Sequence, residues 1–280
     1  MRRIYASIFR NKRGISPAFS TMILTAGVIV MILVAMSYAN NILDFKLAQN
    51  EFETNKQLMQ TTGQQMDDIA WTIGRTQTVT YTSRFGSIKI QPEALEYTMS
   101  VHTNSGWENL SLPGETGILL FNMPVDTFSM SNDYFERIPA SANSSFLLAG
   151  SSVPVSQVIC EEKLPMNDGN YLRIALIPTI RMLESDIAGL QTLKFYLPTL
   201  QSGDSQYYSQ SLTLTGGGIS RITCDQVDQV VISAEFPKAA ELGFDESFFN
   251  FNSNIVTLND LSSAVVEFYV GEVQVSIGAV

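Results

Sequence analysis

The chain has 280 residues, 45% of them hydrophobic, with 17 basic against 27 acidic side chains and a formal net charge of −10. That supports a sizeable folded core. Arg2, Arg3, Arg10, Lys12 and Arg13 supply +5 before residue 15, so 17 − 5 = 12 basic face 27 acidic residues beyond it, a balance of −15 that repels nucleic acid and excludes it as a partner.

From Gly14 to Leu43 the sequence carries no charge, and Ile15 to Ala39 is apolar apart from Ser16, Ser20, Thr21, Thr25, Ser37 and the amphipathic Tyr38. Those 25 residues make ~37 Å of helix against a hydrocarbon core of about 30 Å. The basic residues before the run and Asp44 after it place the N-terminus in the cytoplasm and the rest outside, as a single-pass membrane protein. A buried core helix fits poorly, because such helices keep a polar face. An ordinary secretory signal, with Ser37-Tyr38-Ala39 as its cleavage site, requires a shorter apolar region. A plain uncleaved anchor fits the length.

The junction adds a third reading. Lys12-Arg13-Gly14-Ile15-Ser16-Pro17 resembles the class III signal of archaeal type IV pilin-like and archaellin-like proteins, over about the first 40 residues. The resemblance implies a prepilin peptidase as partner, cutting between Gly14 and Ile15 with Lys12 and Arg13 holding the bond at the cytoplasmic face. It also implies that the whole apolar helix stays on the mature chain, to pack against other pilin-like subunits in a filament or to lie in the membrane. Glycine offers an unhindered backbone to a protease, and Pro17 suits a first helical turn. Bacterial relatives carry an acidic residue at the fifth mature position; Phe19 stands there, so no registry is built on that acid in this chain.

From Asn40 to about Arg75 apolar residues recur at threes and fours among charges, interrupted only by Gly63. This predicts an amphipathic extension of the helix. The period then drops to two. Strands are expected at Thr78–Thr82, Ile88–Ile90 and Leu95–Val101, returning through a turn at Asn104-Ser105-Gly106 toward Trp107, Leu110 and Leu112. More follow at Phe146–Leu148, Val153–Cys160, Tyr171–Ile177, Leu193–Leu197, Tyr207–Thr215, Ile219–Cys224, Val227–Ala234 and Val265–Ile277. Gly216-Gly217-Gly218 reads as a hairpin turn. A bulge at Gly271-Glu272 is expected to reconcile Val266, Phe268 and Val270 with the opposite parity of Val273, Val275 and Ile277. Short helices are expected over Thr179–Ser185 and Lys238–Phe249.

Chemistry is sparse. His102 is the only histidine and reads as an exposed strand residue; neither an imidazole metal cluster nor a nucleophile-elbow sequence accompanies it. The pairs Asp67-Asp68, Glu161-Glu162 and Glu184-Asp186 read as solvated charge. No catalytic residue, metal site or cofactor is expected, and the chain is read as a non-enzyme. Cys160 and Cys224, on the external side, are a candidate disulfide worth roughly 4 kcal/mol on the chain-entropy model, against the alternative of two buried thiols. Asn109 and Asn143 head candidate N-glycosylation triplets.

The expected fold class is α+β: a long N-terminal hydrophobic helix like a pilin stem, followed by a mainly antiparallel β-sandwich head. Residues 1–14 form the cytoplasmic signal segment, 15–75 the transmembrane or filament-core helix with its extension, and 76–280 the extracellular β domain, with two subdomains as the alternative. The expected function is a pilin-like surface protein, a minor subunit of a filament. The alternative is an uncleaved membrane-anchored adhesin or envelope-binding module that does not polymerise.

Overall fold

The structure, a computed structural model, describes residues 17–131, 134–138, 144–162, 166–187, 189–204, 210–244, 246–261 and 263–278. Helix α1 runs unbroken over Pro17–Ile69. It passes through Gly63 and stops six residues short of Arg75, in a turn closed by Gly74 at φ 77°. Two compact units divide the chain, Met1–Leu47 and Ala48–Val280, with their boundary inside α1. The reason is burial. From Ala48 onward the helix buries Ala48, Phe52, Asn55, Met59, Thr62, Met66 and Ile69, spaced alternately four and three apart, as one stripe against the sheet.

Thirteen strands form that sheet: β1 (Thr76–Thr80), β2 (Ser87–Thr103), β3 (Gly106–Asn109), β4 (Glu115–Pro124), β5 (Phe135–Ile138), β6 (Leu147–Ala149), β7 (Ser156–Glu162), β8 (Tyr171–Pro178), β9 (Ile180–Ile187), β10 (Leu190–Ser202), β11 (Ser211–Glu235), β12 (Ile255–Leu258) and β13 (Ala264–Ile277). The lateral order is β5-β7-β8-β4-β2-β11-β13-β10-β9-β6, with β1 and β12 also on β11 and β3 on β2. Among the described residues, only β10 with β13 and β6 with β9 run parallel. The class is therefore α+β with a mainly antiparallel body, as expected, built from one sandwich-like sheet that curls on itself. Thr179 alone separates β8 from β9. The Leu200 N–H of β10 donates to Thr116 Oγ1 of β4 at 2.8 Å, although these strands stand four places apart in the lateral order.

Two apolar clusters follow from the curl. One gathers Tyr97, Phe146, Phe195 and Phe268 with Phe244, Phe248 and Phe249, which come from the segment holding α2 (Ala239–Leu242) and a 3-10 turn at Glu246–Phe249. The expected helix over Lys238–Phe249 thus divides at Gly243, whose φ of 77° ends α2. The other cluster joins Phe52, Met59 and Met66 of α1 to Phe121, Ile174 and Leu176 of the sheet.

Several expectations are corrected by this arrangement. Residues 180–187 form strand β9, not a helix, because they continue β8 across Thr179 and pair with β10 from Leu190↔Ile187 to Tyr196↔Arg181. The three glycines at 216–218 are not a hairpin turn. They lie inside β11, where the register to β13 shifts between Gly216 and Ile219. Gly271-Glu272 is not a bulge in β13, since pairing to β10 runs without a slip from Thr192↔Val265 to Ser202↔Val275. The parity reversal has a different cause. Val266, Phe268 and Val270 face the first cluster, whereas Val273 and Val275 face the helix cluster on the other side of the same strand.

The glycines mark a close approach. A Cβ on Gly216 would collide with the Thr72 carbonyl oxygen and lie 2.6 Å from that of Ile69, and a Cβ on Gly271 would collide with the Ala70 carbonyl oxygen. The end of α1 therefore rests on a notch in β11 and β13. Gly74 N–H donates to the Gly216 carbonyl, and Gly216 N–H donates to that of Arg75, both at 2.8 Å.

Candidate functional site

The feature with the clearest physical demand is the first half of α1. Residues 18–43 are exposed in the isolated chain, Leu24 by 70% and Met31 by 73%. No charge relieves that surface, and by length and composition the helix can cross a membrane. Two of its hydroxyls are already satisfied: Thr21 Oγ1 donates to the Ala18 carbonyl at 3.0 Å and Thr25 Oγ1 to that of Thr21 at 2.8 Å. Such bonds let hydroxyl residues sit in an apolar medium without water. A helix with apolar side chains all round is stable only where its surroundings are apolar too.

The predicted cleavage residues Lys12, Arg13, Gly14 and Ile15 lie outside the described residues, as does Asn143. Asn109 ends β3 and is exposed; its Oδ1 accepts a 2.7 Å bond from Ser100 Oγ. The candidate disulfide is corrected, since both thiols are free. Cys160 lies on β7 in the helix cluster, while Cys224 lies on β11 against the first cluster, with β8, β4 and β2 between those strands in the sheet. Burial pushes the Cys160 thiol up to about 12 and raises that of Cys224.

His102 sits on β2 as a partly exposed strand residue. Its ring lies edge-on to Trp107 at 5.2 Å, and Nδ1 is 3.9 Å from Asp228. Among the described residues, no group of three His, Cys, Asp or Glu side chains is placed to hold a metal ion. Two of the acidic pairs do more than carry solvated charge. Asp67 accepts from Arg181 Nη1 at 2.7 Å and Trp71 Nε1 at 3.1 Å. Glu162 is buried and accepts the Met130 N–H at 2.6 Å.

Two arrangements escaped the sequence reading. Glu51 turns its carboxylate from α1 onto the segment before β2, accepting the N–H groups of Arg84, Phe85 and Gly86 and the Ser83 hydroxyl at 2.9–3.2 Å. This clasp fixes helix to sheet with one side chain. Arg181, Tyr196, Tyr269 and Arg221 stand in register on β9, β10, β13 and β11. The two tyrosine rings stack at 5.0 Å, and a guanidinium covers each end at 5.3 and 5.4 Å. The signal for that row was an aromatic residue on the parity opposite Phe195 in β10 and again opposite Phe268 in β13. Comparison of the chain with protein-family models, with curated proteins and with solved structures yields no match.

Proposed function

We propose that this chain is a surface subunit of the archaeal type IV pilin-like class, cut after Gly14 by a prepilin peptidase and carrying its apolar helix into the mature protein. The helix is held first in the membrane and then among the same helices of other pilin-like subunits, and the β body stands outside the cell as a minor subunit. One observation carries the reading: an uncharged helical segment, exposed all round from residue 18 to 43, directly follows Lys12-Arg13-Gly14-Ile15-Ser16-Pro17. An apolar surface of that length needs lipid or like helices around it, and the basic pair with glycine gives a processing point that leaves it intact. The rival, an uncleaved anchor bearing an adhesin or envelope-binding module, shares the span and differs at the N-terminus.

Intact-mass measurement of protein from membranes and from sheared surface material separates them. A mature chain beginning at Ile15 supports the pilin-like reading. An N-terminus at Met1, at Arg2 or at Asn40 overturns it.

A further inference from the structure

A hollow of about 490 Å³ lies between α1 and the segment leading into β7, within the usual range for small-molecule sites. Gln60, Gln64 and Asp67 line it from α1, and Ser152, Ser156 and Arg181 line it from the sheet side. Gly63 makes room for the serine, since a Cβ there would fall 2.5 Å from Ser156 Oγ. Among the described residues the side chains of Gln60, Gln64, Ser152 and Ser156 make no hydrogen bond. Each amide offers donors and an acceptor, and each hydroxyl offers both.

The charged pair behaves differently. Arg181 Nη1 donates to Asp67 Oδ2 at 2.7 Å while its guanidinium rests 5.3 Å from the Tyr196 ring centroid, so it is held in place; its Nε has no partner. Asp67 also accepts from Trp71 Nε1. The pair cancels its own charge, and the carboxylate is already engaged by two donors, which leaves little to hold a cation. The strongly acidic body disfavours an anion. Neither β7 nor β9, which supply Ser156 and Arg181, offers an edge for an added peptide strand, because β7 is paired on both sides by β5 and β8, and β9 by β6 and β10. What fits is neutral and dense in hydroxyls, with a C–H face to lie on Ile138, Val153 and Pro154.

We propose that this hollow binds a neutral saccharide, whose hydroxyls engage Gln60, Gln64 and Ser152 beside the Arg181–Asp67 pair. The inference is independent of whether the stem lies in lipid or in a filament. Saturation-transfer NMR on the detergent-solubilised full chain tests it, with the methyl glycosides of glucose, galactose, mannose and N-acetylglucosamine as probes and D-glucuronate as the anionic comparison. At least one methyl glycoside is expected to receive saturation at millimolar concentration. The double variant Gln60→Ala/Gln64→Ala weakens that binding roughly tenfold or more, with an unchanged melting curve. Ser152→Trp, on an exposed turn, blocks the hollow and gives a second readout should the double variant unfold. No transfer to any of the four glycosides, equal binding by these variants, or transfer to glucuronate alone overturns the proposal.

Discussion

Replacing Gly216 by alanine is expected to unseat the end of α1. The new Cβ collides with the Thr72 carbonyl oxygen and crowds that of Ile69 at 2.6 Å, and both obstacles are backbone atoms with no rotamer to move to. The turn must therefore lift, which strains two 2.8 Å bonds between Gly74, Arg75 and Gly216 and opens the seat of Ile69 and Ala70, now 0% and 1% exposed. Overpacking of this kind costs about 1–3 kcal/mol, and partial exposure of Ile69 adds about 1 kcal/mol. A loss of about 3 kcal/mol lowers the melting temperature of a body this size by about 6–12 °C. Gly218→Ala is the control, because its nearest neighbour would be Glu272 Oε2 at an ordinary 3.4 Å. Thermal melting of the solubilised chain, followed by near-ultraviolet circular dichroism of Trp71 and Trp107, measures both. If Gly216→Ala melts within about 2 °C of the parent, the seat described for α1 is wrong.

Three more outcomes follow from the same structure. Glu96 faces Glu115 on β4 and Glu235 on β11 in one cross-strand row, and burial followed by those two charges holds its carboxyl above the usual range. The fold then binds that proton more tightly than the unfolded chain does, so this row loses stability as pH rises through the carboxylate range. Glu96→Gln raises the melting temperature at neutral pH and leaves it unchanged at about pH 3.5; an equal effect at both refutes the row. Iodoacetamide applied after unfolding without reductant adds two carbamidomethyl groups, one each at Cys160 and Cys224, as both are free thiols; no addition by mass reveals a bond between them. Val30→Arg, in the middle of the apolar run, costs about 2.5–3.5 kcal/mol of membrane insertion and shifts the protein out of the alkali-resistant membrane fraction, whereas Thr78→Arg on exposed β1 does not.

Features set by local chemistry were readable in advance. The uncharged run announces α1, and the threonine alternation announces β1. Asn104-Ser105-Gly106 returns β2 as β3, with Gly106 at φ 111°. What escaped depended on partners distant in sequence. Strand β4 buries residues on both faces, so its GILLFNM core shows no alternation to read. Residues 180–187 carry spacing that suits a helix, and only pairing with β10 decides for a strand. Three glycines in a row look like a turn until the helix end lies across one of them. The parity change in β13 reads as a bulge unless two cores occupy opposite faces, and nothing local reveals the second core. The hollow beside Gln60 and Gln64 was likewise hidden, because Arg181 comes from the strand mistaken for a helix.

If the proposed pilin-like reading holds, the first half of α1 is retained in an apolar environment while the β body stands outside. Single-cysteine variants of a Cys160→Ser/Cys224→Ser chain test it in intact cells with a membrane-impermeant maleimide. Thr78→Cys is expected to label at once, whereas Val30→Cys stays unlabelled in intact and lysed cells until detergent denaturation exposes it. Labelling of Val30→Cys in water, or a Thr78→Cys that reacts only after the cells are broken, contradicts the account.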